Sequence, residues 1–339
     1  MKKILTQLFL ALAFFTSNAQ QINFVEYDLE NGLHVILHQD NSAPVVSATL
    51  QFHVGSKDED DGLKGFAHLF EHMLGKETKN MDSGQWGKIY SARGGSGNAS
   101  TSVDLTNYYV TVPSNSLKLA LWRYSEIMLH PIIEQETIDI QREAVKEEKR
   151  LRYNQPYVPR FYDYLKRNFF KKHPYQHPII GYFEDLDSSS LDDFLNFKEK
   201  FYAPSNAVFV VAGDIDVDET KQLISEYFDE VPYKGEKPEK NYPVEEPLKE
   251  EIRVKEYDPN IQIPALFYAF RTPAMSNRDS AVINYIAQHL SGSESSILYK
   301  SWLMKNKWLL EFSHLISNRR ITAYLQFLFY PKERQLLMI

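Results

Sequence analysis

The stretch from Gly62 to Gly75 constrains the fold most, because its apolar residues recur at steps of three and four around two histidines and a glutamate. That spacing places the apolar side chains on one side of a helix, which must pack against a core. The closing glycine is a helix stop signal. His68, Glu71 and His72 therefore lie in a helix that faces the interior, where ionisable groups need partners.

These three residues have the spacing of a metal site. Residues four apart on a helix share one face and lie about 6 Å apart along the axis, so His68 and His72 can reach one ion. Glu71 flanks that face and can accept a proton from water on the metal, whose pKa zinc lowers to about 7. The order His-x-x-Glu-His is the inverted form of the commoner zinc motif. A third protein ligand is required, and a carboxylate is a usual choice. The alternative is an ordinary pair of core or surface histidines.

Composition narrows the class of protein. With 339 residues, of which 43 % are apolar and 14 % aromatic, the chain can form two domains with sizeable cores. Its 38 Lys and Arg against 45 Asp and Glu give a net charge of −7, so nothing indicates nucleic-acid binding. The absence of cysteine excludes disulfides and thiolate metal ligands.

The first residues have the pattern of a secretory signal. Lys2 and Lys3 precede the apolar run Ile4–Phe15, and Ser17-Asn18-Ala19 supplies small residues for cleavage. The run is shorter than the roughly 20 residues that span a bilayer. We expect a signal peptide over 1–19, a periplasmic or secreted mature protein, and no stable membrane insertion after cleavage. A retained membrane anchor is the alternative.

The chain divides into blocks of strands and helices, which predicts an α+β fold in two copies. In the first block, strands are expected at Asn23–Asp28, His34–Leu37, Val45–Val54, within Asn98–Val112 and at Ala207–Gly213. Helices are expected at Gly62–Gly75, Ser83–Ala92, Ser116–Leu129, Glu134–Phe169, Ser190–Phe201 and Val217–Phe228.

A segment rich in Pro, Lys and Glu follows the first block and reads as an exposed linker. The expected division is an N-terminal domain at 20–231, a linker at 232–249 and a partial second domain at 250–339. The second block predicts strands at Ile252–Tyr257, Ile263–Phe270 and up to Tyr330, with helices at Ser280–His289 and Ser295–Asn306. With only about 90 residues, this second copy is expected to be incomplete.

The segment Gly65–Leu74 resembles the zinc helix of the pitrilysin family, which includes insulin-degrading enzymes and mitochondrial processing peptidases. The resemblance implies repeated two-layer α/β sandwich domains and one Zn²⁺ per chain. It also implies a third ligand from a second helix some 75 residues on, where Arg142–Glu148 matches and Glu148 is the ligand. Periodicity alone leaves Glu147 and Glu143 as alternatives. Gln141 departs from the family, which tends to have an acidic residue there.

Two further regions resemble the family. The stretch Gly94–Ala99 is similar to its substrate-binding edge strand, which implies that Asn98 and Ala99 pair with a peptide backbone by β-augmentation. The alternative is a glycine turn that leads into an ordinary hairpin. His173 and His177 flank a loop that resembles a Pro-Tyr-Gly stretch, and both are expected to be structural or exposed.

The resemblance implies an exported zinc metalloendopeptidase that hydrolyses peptides or unfolded segments, with Glu71 as general base. Family members close two halves around the substrate, which implies a second pitrilysin-like half or a homodimer as partner. The alternative is a catalytically inactive fragment or subunit that binds peptide or a partner half. A zinc hydrolase with another substrate is a weaker alternative.

Overall fold

The structure is a computed structural model that describes residues 22–258, 261, 264–305, 309–317 and 323–331. The signal peptide expected at 1–19 lies outside these residues. Among the described residues, none of the helices combines the length and the apolar character that crossing a bilayer requires.

The order of strands and helices largely follows the predicted one. The strands are β1 (Val25–Asp28), β2 (His34–Gln39), β3 (Val45–Phe52), β4 (Ser96–Thr101), β5 (Thr106–Pro113), β6 (Ala207–Gly213), β7 (Leu266–Thr272), β8 (Leu309–Ser317) and β9 (Ala323–Pro331). The helices are α1 (Phe66–Met73), α2 (Gln85–Ala92), α3 (Leu117–Leu129), α4 (Gln135–Tyr153), α5 (Val158–Phe169), α6 (Phe183–Ser188), α7 (Leu191–Phe201), α8 (Val217–Phe228) and α9 (Arg278–Ser291). A π-helical segment follows at Tyr299–Lys305, inside the helix expected at Ser295–Asn306.

The first block forms a six-stranded sheet in the order β1-β2-β6-β3-β5-β4. Its neighbouring strands are antiparallel except for β2 and β6, which are parallel. Alternate residues of β3 and β5 are buried, so one face of the sheet forms the core. Helices α1, α2, α3 and α8 contact this sheet. Helix α1 also packs against α7, where the Phe66 and Phe194 ring centroids lie 4.4 Å apart. Strand β4 is left at the edge.

The second block forms a three-stranded antiparallel sheet in the order β7-β9-β8, preceded along the chain by the linker. The two sheets lie on either side of 232–249 in the sequence. The division of the chain into domains stays a prediction.

The prediction of a strand at Ile252–Tyr257 is wrong. Residues 251–258 have no regular secondary structure, and Ile252, Val254 and Tyr257 are exposed. A strand is stabilised by its ladder, and no described strand pairs with this segment. Alternation of apolar and polar residues therefore predicted a strand that has no neighbour.

Two of the differences in helix boundaries have a clear physical reason. The helix expected at Glu134–Phe169 is two helices, α4 and α5, because Pro156 disfavours helical geometry in the residue before it and has no N–H to donate. Helix α1 begins at Phe66, since Gly65 has a left-handed φ of 97° and ends the preceding turn.

The linker is mostly exposed, as expected, but it is also attached to the first block. The Glu245 carboxylate accepts the backbone N–H groups of Lys171, Lys172 and His173 at 2.5–2.7 Å. The Tyr242 hydroxyl donates to the Asp58 carboxylate. These contacts fix the course of the linker over the N-terminal block.

Candidate metal centre

The start of helix α1 is held by a buried carboxylate. Glu59 is 6 % exposed, and its two oxygens accept the backbone N–H groups of Gly65 at 2.9 Å and Ala67 at 2.8 Å. Burial raises the pKa of Glu59 well above its usual value. The first amides of a helix lack partners within it, so Glu59 acts as the cap of α1. A capping side chain usually belongs to the residue directly before the helix, but here that residue is Gly65 and the cap is Glu59, six residues earlier.

A loop at residues 180–182 packs against the same end of α1. A Cβ on Gly181 would lie 1.8 Å from the carbonyl oxygen of Lys64, so only glycine fits there. The neighbouring Tyr182 N–H donates to that oxygen at 3.3 Å. The backbone of the loop therefore lies in direct contact with the first turn of α1.

The loop also contacts helix α4. The Lys149 ammonium donates to the carbonyl of Gly181 and lies 5.2–5.3 Å from the ring centroids of Tyr153, Tyr182 and Phe183. Such cation–π contacts stabilise a buried ammonium. Lys149 is 8 % exposed, so this lysine of α4 is buried. Through this loop, α1 and α4 are held at a fixed spacing.

Across that spacing, the two histidines of α1 meet one carboxylate of α4. The Nε2 atoms of His68 and His72 lie 3.6 and 3.4 Å from Oε2 of Glu148. The three ligand atoms all lie within 4.8 Å of one another. The alternatives Glu147 and Glu143 are exposed and pair instead with Arg150 and Lys146 of their own helix.

The packing of α4 explains why Glu148 faces the histidines. Ile138, Gln141 and Val145 are buried, and they place Glu148 on the same inward side of the helix. Burial of Ile140 and Leu151 would have placed Glu147 on the inward side of the helix, but each of the two is 59 % exposed. Gln141, at the position where the family tends to have an acidic residue, is buried and carries no charge.

The protonation states of these groups suit a divalent metal. Burial, together with the neighbouring His72, lowers the pKa of His68 to about 4. A hydrogen bond with His72, aided by the charges of His68 and Arg152, lowers the pKa of Glu148 to about 2. At neutral pH, His68 is a neutral imidazole and Glu148 an anion, which are the forms that bind zinc.

The donor set and its spacing fit zinc. With metal–ligand bonds of about 2.0–2.1 Å, the ligand atoms of a tetrahedral site lie about 3.3–3.4 Å apart, close to the observed 3.4 and 3.6 Å. The other oxygen of Glu148 pairs with Arg152, which leaves Oε2 facing the histidines. The buried Nδ1 of His68 has no hydrogen-bond partner among the described residues.

Glu71 lies beside this group but outside the set of three. Its carboxylate is half-buried, and burial raises its pKa. The hydroxyl of Thr101 donates to Oε2 of Glu71 at 2.6 Å. Thr101 is the last residue of β4, thirty residues away, and no local pattern in the sequence indicates this contact.

Asn98 and Ala99 lie in the middle of the edge strand β4. On one side they pair with Tyr109 and Tyr108 of β5. On the other side no described strand is bonded to them. The Asn98 side-chain oxygen accepts the Ala99 N–H at 2.9 Å, so a docking peptide must compete for that amide. An edge of this kind is able to receive an extended chain.

The other two histidines singled out in the sequence are buried, at 1 % exposure for His173 and 4 % for His177. Nδ1 of His173 accepts the Tyr175 N–H at 3.1 Å, and Nδ1 of His177 lies 3.2 Å from the carbonyl of Pro178. Burial lowers the pKa of each imidazole to about 4. Their contacts are structural.

The fold and the site together define an α+β protein with a helix-borne cluster of two histidines and a carboxylate. Two family models match its sequence: Insulinase (Peptidase family M16) over residues 34–182 and Peptidase M16 inactive domain over residues 188–334. The chain belongs to the M16 (insulinase) peptidase family, which confirms the pitrilysin-like resemblance and the fold class.

Among curated relatives, the zinc protease PqqE of Helicobacter pylori is 27 % identical over 289 residues, which cover 84 % of this chain and 65 % of the relative. The chain thus spans less than two thirds of that protein. A crystal structure of a protease from Helicobacter pylori has a TM-score of 0.86 and 25 % identity, and the match covers 92 % of this chain and 76 % of that one. The crystal structure of the periplasmic protease PqqL from Escherichia coli has a TM-score of 0.76 and 20 % identity, and the match covers 94 % of this chain and 37 % of that one. This second match shows a similarity of fold alone.

Proposed function

We propose that this protein is a zinc metalloendopeptidase that hydrolyses peptide bonds in peptides or unfolded segments. The observation that carries the proposal is the convergence of His68, His72 and Glu148 at distances that suit one zinc ion, with Glu71 alongside. The zinc protease relative supports the same class of reaction.

His68, His72 and Glu148 would hold the single Zn²⁺. When bound, zinc supplies a Lewis acid that polarises a carbonyl oxygen and lowers the pKa of water from about 15.7 to near 7. The neutral imidazole of His68 and the anionic Glu148 are ready to bind without first losing a proton.

Glu71 is the proposed general base. Burial raises its pKa, which makes the carboxylate a better proton acceptor. Its Oε2 accepts the Thr101 hydroxyl, which leaves Oε1 available to receive a proton from the attacking water. Glu71 removes a proton from that water as the oxygen adds to the scissile carbonyl. It then gives the proton to the leaving amine.

Asn98 and Ala99 are the proposed substrate contacts. A peptide added beside β4 would bind through its backbone N–H and C=O groups, which gives affinity without a strong sequence preference. Strand β4 also contacts Glu71 through Thr101, so the peptide would lie next to the proposed base.

We place the mature protein in the periplasm or outside the cell. The signal-like pattern at 1–19 supports this, as does the periplasmic protease PqqL of Escherichia coli, which shares the fold. A second pitrilysin-like half or a second copy of this chain is the proposed partner.

The test uses the chain from Gln20 onward, with zinc counted by mass spectrometry and cleavage followed with a quenched peptide. We expect about one zinc per chain in the wild type and in Glu71→Gln, and cleavage in the wild type only. Zinc without cleavage in either would support the inactive peptide-binding subunit instead. A chain that binds no zinc would overturn the site itself.

A further inference from the structure

Thr101 makes a short hydrogen bond to the proposed base. Its hydroxyl carries one proton, and the Glu71 carboxylate, which is an acceptor when ionised, receives it at 2.6 Å. The hydroxyl of the neighbouring Thr106 lies 3.5 Å away and is bonded to the carbonyl of Val54 at 2.9 Å. The strong contact of Thr101 is therefore the one to Glu71.

The side chains of β4 alternate between two environments. Asn98 and Ser100 are exposed, whereas Ala99 and Thr101 are half-buried on the side that faces helix α1. The strand proposed to receive the peptide thus carries, two residues beyond Ala99, the group that holds Glu71. Strand β4 therefore provides both the edge proposed to bind the peptide and the hydroxyl that contacts the proposed base.

We propose that Thr101 is a positioning residue that fixes the Glu71 carboxylate relative to the strand on which the peptide docks. Glutamate has three rotatable side-chain bonds, and one of its oxygens must face the water while the other is held. Thr101 holds one of the two oxygens and belongs to β4, the strand proposed to bind the peptide. The same strand therefore determines the position of the bound peptide and the position of the Glu71 carboxylate. This inference rests on the proposed peptidase function.

The test replaces the hydroxyl with a methyl group in Thr101→Val, which keeps the shape of the side chain. We expect kcat to fall about ten- to a hundredfold with KM nearly unchanged and with zinc still at one per chain, because only the base is misplaced. Thr101→Ser, which keeps the hydroxyl, should restore most of kcat. Thr111→Val, on the exposed side of β5, is the matched control and should leave both constants unchanged.

An unchanged kcat in Thr101→Val would overturn the inference, as would a change in KM alone, which would indicate a substrate contact. Crystal structures of the zinc-loaded wild type and Thr101→Val provide a second readout that does not depend on turnover. We expect Glu71 to leave its position or to occupy several rotamers in the variant. A Glu71 that stays in place would overturn the inference even if the chain is inactive. Failure of the proposed function would instead appear in the wild type, as missing zinc or missing cleavage.

Discussion

Nε2 of His72 lies 3.4 Å from Oε2 of Glu148, although seventy-five residues separate the two in the sequence. This contact joins α1 to α4 and selects one carboxylate from an acidic run. Glu148→Gln should lose zinc, with an affinity loss greater than the roughly 10–100-fold that removal of an outer-shell partner causes. Glu147→Gln is the matched control, because Glu147 is exposed and, among the described residues, forms its ion pair with Arg150. Titration against a chelator measures both, and zinc loss from the Glu147 variant alone would contradict the assignment.

A second prediction concerns the cap of α1. Glu59→Ala leaves the N–H groups of Gly65 and Ala67 without acceptors in a buried place, so the free energy of unfolding should fall by about 1–3 kcal/mol. Zinc affinity should fall as well, since His68 lies in the first turn of the helix. Urea denaturation and chelator titration measure the two effects.

Glu30→Ala is the control for that prediction. Glu30 is exposed in the turn between β1 and β2, and surface substitutions of this kind usually change stability by less than about 0.5 kcal/mol. Equal losses in the two variants would show that Glu59 does not act as a cap.

Local patterns were sufficient to predict much of this fold. Strand β6 and helix α8 have the bounds that their apolar periods predict, and the hairpin of β1 and β2 turns at Gly32 with a φ of 87°. The spacing of His68 and His72 follows from helix geometry alone. These features depend on residues that are close together in the sequence, so local sequence patterns are sufficient to predict them.

Contacts between distant residues were not predictable in the same way. The choice between Glu147 and Glu148 depends on which side of α4 meets α1, and apolar residues occur on both sides of that helix. Glu59, Thr101 and Lys149 likewise act on groups brought near by the fold. Their residue types are common on surfaces, so nothing in the sequence distinguishes them.

Stability should depend on pH through His173. Burial lowers its pKa to about 4, below the value of about 6.5 expected in the unfolded chain. The unfolded state therefore binds the proton more readily, and the stability present above pH 6.5 is lost as pH falls towards 4. The loss is on the order of 3 kcal/mol. Urea denaturation of the chelator-treated chain at several pH values measures it.

His173→Asn tests that assignment. Asparagine can also accept the Tyr175 N–H at the start of this turn but does not titrate, so the fall between pH 6.5 and 4 should be smaller in this variant. The same change at His289, which is exposed on α9, should leave the pH dependence as in the wild type. Equal slopes in the wild type and His173→Asn would contradict the prediction.

The contact between Gly181 and the start of α1 leads to the last prediction. A methyl group on Gly181 would lie 1.8 Å from the Lys64 carbonyl oxygen, which is backbone and has no room to move without displacing α1. Gly181→Ala should therefore lower stability and weaken zinc binding together, because the histidines move with their helix.

Gly84 provides a matched control. Its φ of 78° is close to the 70° of Gly181, but a Cβ there would meet no atom within 4 Å. Gly84→Ala should cost only the left-handed backbone strain, about 1–2 kcal/mol, and leave zinc affinity unchanged. The difference between the two variants isolates the packing of the loop on α1 from the strain of the backbone. If both variants bind zinc as tightly as the wild type, the loop does not set the spacing of α1 and α4.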